Sequence, residues 1–237
     1  PRAHHYGSTR TLCESLGGTY WDCTMERMKW IADWEYVLGI NLFNPHGFHY
    51  SIEGERKRDW PPSQFYHHPW WEKYDKFNEY ITRNSYALSG GRHVAKVAII
   101  YPMTSIWTNY QPQGSSRIMR LIEAEFYYFA DLLLRLHFDY DFLDEAVLAE
   151  AEVKNGNIRI AGEEYSLVIM PPLTTVKRST VDKLEDFFDQ GGSIIGNALL
   201  PTELPSGTDQ RTIEVFKKIF NIDPVALRRS LTDALAE

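Results

Sequence analysis

The chain has 237 residues, of which 43% are hydrophobic and 24% are charged, and its formal net charge is −7. This length can bury one large core or two modest ones. The acidic balance argues against a nucleic-acid partner, and no apolar run reaches the about 20 residues that a membrane-spanning helix needs. Cys13 and Cys23 are too few for a disulfide framework, so we expect plain buried thiols unless the two residues pair.

The N-terminal segment and the distribution of aromatic residues indicate how the chain is organised. Residues 1–7 have the pattern of a helix end stopped by Gly7, without a signal peptide, which suggests a piece of a longer polypeptide. Six of the seven Trp and six of the eight His precede residue 72, whereas aliphatic strands and amphipathic helices alternate after Arg92. This shift in composition predicts two domains, residues 1–91 and residues 92–237.

The first domain is predicted to contain a βα repeat. A short strand over residues 8–12 is followed by a helix capped by Thr24 and by a second strand over residues 40–43. This order is typical of parallel α/β structure. Residues 48–71 form a long aromatic loop, which is uncommon unless the loop has a function, and a helix over residues 71–88 follows.

The second domain is predicted to be a doubly wound α/β domain. Its strands and helices alternate over residues 94–101, 116–136, 137–142, 144–150, 167–170, 179–190 and 193–197. Asn155-Gly156 between two apolar runs predicts a β-hairpin. The domain has no G-x-G-x-x-G, Walker or G-x-S-x-G sequence, so we expect neither a nucleotide cofactor nor a nucleophile in it.

Glu14 is the first candidate for chemistry. It follows a predicted parallel strand, and carboxylates at such strand ends point into the mouth where barrel enzymes carry out catalysis. The alternative is an ion-paired surface residue. Gly17-Gly18 and the aromatic residues Tyr20 and Trp21 favour the functional interpretation, because aromatic faces commonly hold sugar rings.

The second strand end and the loop after it supply further candidates. Asn44 and His46 end the second predicted strand, and the imidazole could bond a sugar hydroxyl or tune a carboxylate, or could merely brace the loop. Glu53, Arg56 and Trp60 are candidates for lining the substrate. Glycoside hydrolysis needs two carboxylates, and Glu53 or Glu55 could provide the second. His67-His68 lacks the spacing of a zinc site and is expected to pack or to face solvent.

Several runs of residues form a recognisable pattern. They are Cys13-Glu14-Ser15-Leu16-Gly17-Gly18, Trp30-Ile31-Ala32-Asp33-Trp34, Gly39-Ile40-Asn41, Asn44-Pro45-His46-Gly47, Tyr50-Ser51, Lys57-Arg58-Asp59-Trp60-Pro61-Pro62-Ser63 and Tyr80-Ile81-Thr82-Arg83. In these runs the first domain resembles the end of the catalytic barrel in glycoside hydrolase family 106, the α-L-rhamnosidases and their relatives. The second domain is similar to the glutamine-amidotransferase-like domain that follows the barrel there and in family 42 β-galactosidases.

The resemblance implies a fold and an activity. The fold would be the terminal strands and helices of a (β/α)8 barrel followed by a flavodoxin-like domain. The enzyme would lie in the periplasm or outside the cell and would cleave glycosidic bonds of plant or microbial polysaccharides or oligosaccharides. Glu14 would be a catalytic or sugar-binding carboxylate, and calcium, with ligands not assigned, would help to hold the sugar. The earlier barrel strands, with at least one catalytic acid, would come from an N-terminal part, and oligomerisation is compatible with this arrangement.

Other functions stay open at this point. The same aromatic residues could hold a glycan or a partner subunit in a non-catalytic binding or assembly module. A family 42 β-galactosidase-like enzyme is another alternative. An amidotransferase-like activity of the second domain is disfavoured, because the sequence lacks the nucleophile elbow.

Overall fold

The structure is a computed structural model that describes residues 2–58, 60, 64–114 and 116–236. The residues of the predicted aromatic loop that lie outside this description are Asp59, Pro61, Pro62 and Ser63. The chain forms two compact units. The first unit is Gly7–Arg92, and the second unit combines Pro1–Tyr6 with His93–Glu237. The predicted domains meet at a single boundary between residues 91 and 92, whereas the structure groups the first six residues with the second unit.

The described residues of the first unit form two parallel strands and two α-helices. After α1 (Arg2–His5), which belongs to the second unit, the elements are β1 (Leu12–Ser15), α2 (Met25–Val37), β2 (Leu42–Pro45), the 3₁₀ helices Gly54–Arg58 and Trp71–Lys73, and α3 (Tyr74–Ala87). Thr24 caps α2 by accepting a hydrogen bond from the Arg27 backbone N–H at 3.2 Å, as predicted. The Tyr36 hydroxyl ties α2 to α3 by donating to the Ile81 carbonyl at 3.0 Å.

Both strands of this unit begin later than the sequence predicts. Pairing starts at Leu12 and Leu42, so the predicted ranges 8–12 and 40–43 are wrong. The cause is the buried Asn41 side chain, whose Oδ1 accepts from the Thr11 N–H at 2.8 Å and whose amide donates to the Thr9 carbonyl at 2.8 Å. The Asn41 side chain therefore occupies backbone groups of Thr9 and Thr11 that would pair with the neighbouring strand if the strands began earlier.

The second unit has a four-stranded parallel sheet as its centre. Its elements after α1 are β3 (Val97–Ile100), α4 (Met103–Thr108), α5 (Arg117–Arg135), β4 (Tyr140–Leu143), α6 (Glu145–Glu150), β5 (Glu152–Lys154), β6 (Asn157–Ile160), β7 (Glu163–Tyr165), β8 (Leu167–Met170), α7 (Arg178–Asp189), β9 (Ser193–Gly196), β10 (Glu203–Leu204), β11 (Gly207–Thr208), α8 (Gln210–Phe220) and α9 (Pro224–Ala236). The strand order is β4-β3-β8-β9, with every neighbouring pair parallel.

Helices cover both faces of this sheet. Val97 and Ile99 of β3 pack in one core cluster with Phe126 of α5. Ala98 and Ile100 point to the other face and join the larger cluster, which contains apolar residues of α6, α7 and α8. Side chains of a strand alternate between faces, and a strand buried on both faces is apolar throughout, which explains the continuous apolar run of β3.

A predicted hairpin and a predicted helix cap in the second unit can be compared with the structure. Asn155 and Gly156 both have positive φ, 51° and 68°, and join β5 to β6, so the predicted hairpin is confirmed. The predicted cap Ser179 is wrong, because α7 begins at Arg178. The buried Glu145 carboxylate caps the helix instead. It accepts hydrogen bonds from the Lys177 N–H at 2.7 Å and from the Thr180 hydroxyl in the first turn.

The prediction of a parallel α/β chain is confirmed by the two parallel sheets, β1-β2 and β4-β3-β8-β9, whereas the small sheets β5-β6-β7 and β10-β11 are antiparallel. None of the helices in the described part of the chain is both long enough and apolar enough to cross a membrane.

Candidate functional site

The ends of β1 and β2 place Glu14 beside Asn44. The strands are in parallel register, with Glu14 opposite Asn44 and Leu12 opposite Leu42. On the helix-facing side of β1, the Ser15 hydroxyl donates to the Glu35 carboxylate at 2.6 Å. Because successive side chains of a strand point to opposite faces, Glu14 projects to the other side of the sheet. Glu14 and Asn44 are both exposed there.

His46 is held next to Glu14 by the backbone that follows β2. Its N–H donates to the Ser15 carbonyl at 2.8 Å, which extends the ladder of the two strands by one bond. Its Nε2 lies 3.8 Å from Glu14 Oε1, an ion-pair distance longer than a hydrogen bond. The Glu14 side chain is 60% exposed, and that of His46 is 31% exposed. A carboxylate open to solvent therefore has an imidazole on one side.

The Trp60 indole lies over the Gly17-Gly18 backbone of the same strand end. The Gly18 N–H donates to the Trp60 carbonyl at 2.8 Å. A Cβ on Gly17 would lie only 2.8 Å from Trp60 Nε1 and 3.4 Å from His46 Cδ2, so a side chain at this position would collide with the indole. Glycine is therefore required for the ring to reach this place. The indole remains 59% exposed.

Trp21 belongs to a separate stack of rings. It lies between His49 and His68, with ring centroids 5.5 Å and 5.9 Å away and nearly parallel planes. Its Nε1 donates to the Lys57 carbonyl at 2.5 Å. With Ile52, Lys57 and Arg58 it lines a shallow depression of about 380 Å³. His68 therefore packs, as the sequence analysis expects.

Among the described residues, the remaining predicted ones form no hydrogen bond or ion pair with Glu14. Glu53 pairs with Arg56 at 3.8 Å beside the 3₁₀ helix Gly54–Arg58, and both side chains are more than half exposed. Glu55 pairs with Arg58 at 3.4 Å in the same way. Such exposed pairs contribute little to stability. Tyr20 is exposed and has a left-handed backbone, with φ of 57°.

Glu35 is a buried carboxylate of this unit that was not predicted from the sequence. Only 7% exposed, it accepts the Ser15 bond and lies 3.7 Å from the Cys13 thiol, whose pKa is raised by burial. Met28, Ala32 and Glu35 are the buried residues of α2 and follow one helical stripe. That spacing was the signal that could have revealed Glu35. Because Glu35 lies on the helix-facing side of β1, its place is structural support beneath the strand.

The described cysteines are both free. Burial raises the pKa of the Cys23 thiol, which supports the expectation of a plain buried thiol, whereas Cys13 is half-buried. In the same unit, burial raises the pKa of Tyr74 to about 12. These groups stay protonated at neutral pH, and Cys23 and Tyr74 belong to the hydrophobic core of the unit.

The serine that follows β3 in the second unit has a structural role. Ser105 of α4 is fully buried, and its hydroxyl donates to the Thr175 carbonyl at 2.7 Å. It also accepts from the Thr174 and Thr175 N–H groups at 3.1 Å. A hydroxyl bonded in this way braces the turn after β8 and is closed to solvent.

A mixed α/β fold with a carboxylate, an imidazole and an indole at neighbouring strand ends is the arrangement expected of an enzyme that acts on carbohydrates. The family profile of glycoside hydrolase family 106, described as α-L-rhamnosidase, matches residues 1–229. The chain belongs to this family, and the resemblance noted in the sequence is confirmed.

One curated relative and two solved structures are also similar. The chain is 26% identical over 210 residues to the "Putative beta-glucuronidase" of Formosa agariphila, covering 86% of this chain and 16% of that protein. It is 14% identical to Gan42B, a GH42 β-galactosidase, with a TM-score of 0.53 over 84% of this chain and 29% of that one. The β-galactosidase of Bifidobacterium adolescentis matches with a TM-score of 0.40 and 14% identity, over 56% of this chain and 57% of the other.

These comparisons differ in what they establish. At 14% identity the likeness to Gan42B concerns the fold alone. The chain spans 16% of its curated relative and 29% of Gan42B, so each of those proteins contains much more than the part matched here.

Proposed function

We propose that this chain supplies the last strands of a (β/α)8 catalytic barrel and the domain after it in an enzyme that cleaves α-L-rhamnosidic bonds. The observation that carries the proposal is the grouping of Glu14, His46 and Trp60 at the ends of two parallel strands, in a member of glycoside hydrolase family 106. Catalytic groups of barrel enzymes lie at the carboxyl ends of the strands.

The open face of the first unit supports the barrel. Leu12 and Leu42 lie on the same side of the sheet as Glu14 and are 56% and 39% exposed. Parallel sheets occur almost only with both faces covered, and two strands alone leave both edges unpaired. Further strands of the complete enzyme would cover these leucines and place Glu14 in the barrel mouth. We propose that those strands come from the N-terminal part of the enzyme.

The second unit supports the flavodoxin-like assignment. Numbered along the chain, its four parallel strands have the order 2-1-3-4, which is the beginning of the flavodoxin order 2-1-3-4-5. This unit would act as a scaffold or an interface, because the hydroxyl of Ser105 is buried and hydrogen-bonded within the protein. Several copies of the enzyme could associate through this unit.

In the proposed reaction, the bond between the sugar carbon and the glycosidic oxygen breaks, and Glu14 has one of two roles. It protonates the departing oxygen while the second carboxylate activates water, or it attacks the carbon while the second carboxylate protonates that oxygen. His46 stands beside it, with its Nε2 3.8 Å from Glu14 Oε1, and can help to orient the carboxylate. The second carboxylate would come from another strand of the complete enzyme. Glu53 and Glu55 are paired with Arg56 and Arg58 on the exposed loop, which makes them weaker candidates for that role.

Calcium and the location of the enzyme follow from the resemblance alone. Glu14 and Asn44 offer one carboxylate and one amide oxygen in register, whereas calcium takes six to eight oxygen ligands. The described residues at this strand end do not by themselves form a calcium site, so no reaction step is assigned to the ion. A periplasmic or extracellular location is proposed on the same ground.

The sugar can be identified with aryl glycosides. We expect the complete enzyme to hydrolyse a p-nitrophenyl α-L-rhamnoside at least tenfold faster than the matching β-D-glucuronide and β-D-galactoside, as measured by kcat/KM. These two controls represent the activities in the names of the relatives. Faster cleavage of either control would show that the sugar is wrong. Glycan binding without any cleavage would favour the non-catalytic binding module instead.

Replacing Trp60 by Ala in the complete enzyme is expected to raise KM by about 2- to 12-fold, the size of one aromatic contact of about 0.5–1.5 kcal/mol, with little change in kcat. The reason is that the exposed indole beside His46 can carry one face of the sugar. Steady-state kinetics on the preferred glycoside provides the measurement.

The matched control for Trp60→Ala is Trp107→Ala, since Trp107 is 67% exposed and lies in the second unit. This variant should keep the wild-type KM. Equal KM values for both variants would remove Trp60 from the substrate site.

A further inference from the structure

Four side chains with metal-binding donor atoms converge in the second unit. They are His4 of α1, His93 before β3, Asp141 of β4 and Glu163 of β7. One ligand atom each of His4, His93 and Glu163 lies within 4.8 Å of the other two. His93 Nδ1 is 3.2 Å from Glu163 Oε2 and 3.6 Å from Asp141 Oδ2, and His4 Nδ1 is 3.7 Å from Asp141 Oδ1.

These separations are close to those of a tetrahedral zinc site. With Zn–N and Zn–O bonds of about 2.0–2.2 Å, neighbouring ligand atoms lie about 3.3–3.6 Å apart. Two imidazoles and a carboxylate form a ligand set that suits zinc and its first-row neighbours, whereas calcium and magnesium prefer oxygen ligands alone.

His4 has an unsatisfied nitrogen directed at this cluster. Its Nδ1 is buried and has no hydrogen-bond partner among the described residues. Buried polar atoms without a partner are rare in native proteins and call for an explanation such as an ion.

The other groups are oriented by partners of their own. His93 Nε2 lies 3.1 Å from Asp139 Oδ2, so its Nδ1 is the nitrogen that faces the cluster. Metal-binding histidines usually donate their second N–H to a carboxylate in this way. Asp141 Oδ2 accepts from the buried Tyr165 hydroxyl at 2.7 Å, and that hydroxyl lies 2.8 Å from His5 Nε2.

We propose that His4, His93 and Glu163, with Asp141 as fourth ligand, bind one divalent first-row transition-metal ion, for which Zn²⁺ is the best match. Its role is structural, since the ion joins α1 to the start of β3. His4 and His93 flank the Gly7–Arg92 segment in the sequence, so the ion would fix the two points where the chain leaves the second unit and returns to it.

The test uses the full chain freed of metal by a chelator and then titrated with Zn²⁺ against a chromogenic competitor. We expect one Zn²⁺ per chain, and Co²⁺ in its place should give the visible absorption of a tetrahedral complex. His93→Gln and Glu163→Gln should each weaken Zn²⁺ binding at least tenfold and abolish that absorption. Asp139→Asn should weaken binding about 10- to 100-fold by releasing the His93 ring.

The matched control is His137→Asn. His137 is exposed, and its φ of 59° is one that Asn tolerates, so this variant removes an imidazole from the same unit without strain. It should bind Zn²⁺ like the wild type. A wild-type chain that takes up no stoichiometric Zn²⁺ overturns the proposal, as does unchanged affinity in both ligand variants. If circular dichroism shows those variants unfolded, Asp139→Asn decides: a tenfold loss supports the site, and wild-type affinity overturns it.

Discussion

Glu14→Gln in the complete enzyme is expected to lower kcat by about 10²- to 10⁴-fold, the usual contribution of a positioned acid or base. Gln has nearly the shape of Glu but neither exchanges a proton nor attacks a sugar at neutral pH. Because the Glu14 side chain is 60% exposed in this chain, its replacement should leave the melting temperature unchanged. The measurement is kcat on the preferred glycoside, together with thermal unfolding of the same preparation.

A second Glu→Gln substitution in the first unit provides the control for Glu14→Gln. Glu79 lies on α3, pairs with Arg83 at 2.5 Å and has a half-exposed side chain. Glu79→Gln should retain wild-type kcat. Wild-type turnover in Glu14→Gln would end its catalytic assignment, and the aromatic residues would then favour a binding role.

Phe187→Ala is expected to destabilise the second unit by about 3–5 kcal/mol, the cost of removing a large buried ring and leaving a cavity. Phe187 of α7 is fully buried in the larger core cluster together with Leu184 and Val181. Its ring also packs on the backbone after the helix, since a Cβ on Gly192 would lie 2.3 Å from it. Urea unfolding of the full chain, followed by circular dichroism, measures the loss.

Phe138→Ala makes the same chemical change on the surface of the same unit. The Phe138 side chain is 57% exposed, so the expected change is within about 0.5 kcal/mol. Similar losses of stability in Phe138→Ala and Phe187→Ala would contradict the packing described for α7.

Local signals predicted much of the secondary structure. The strand Leu167–Met170 is found as expected, because a short apolar run ended by two prolines has few alternatives. Thr24 caps its helix as predicted, through a side-chain bond to the Arg27 N–H, and the helix predicted from residue 116 begins at Arg117. These features depend on residues three or four positions apart, and such contacts can be read along the chain.

The predicted strand starts and helix cap were wrong where a side chain distant in the sequence forms the hydrogen bonds at that position. Asn41 shortens the strand that ends at Ser15 by bonding Thr9 and Thr11, and Glu145 replaces the expected cap of α7. Each contact spans about 30 residues or more of sequence. Local propensity contains no information about a partner at that distance, and tertiary packing overrides it.

By itself, the sequence determined the parallel α/β class, the family and the position of Glu14 and His46 at two strand ends, because hydrophobic periodicity and short motifs are local. The tertiary structure decided which candidates lie together: the Trp60 indole and the His46 ring both lie against Gly17, which has no side chain in their way, whereas Glu53 pairs with Arg56. Only the tertiary structure shows that His4 lies beside His93 and Glu163. Residues this far apart in the sequence are brought together by burial of the whole core, which leaves no local pattern in the sequence.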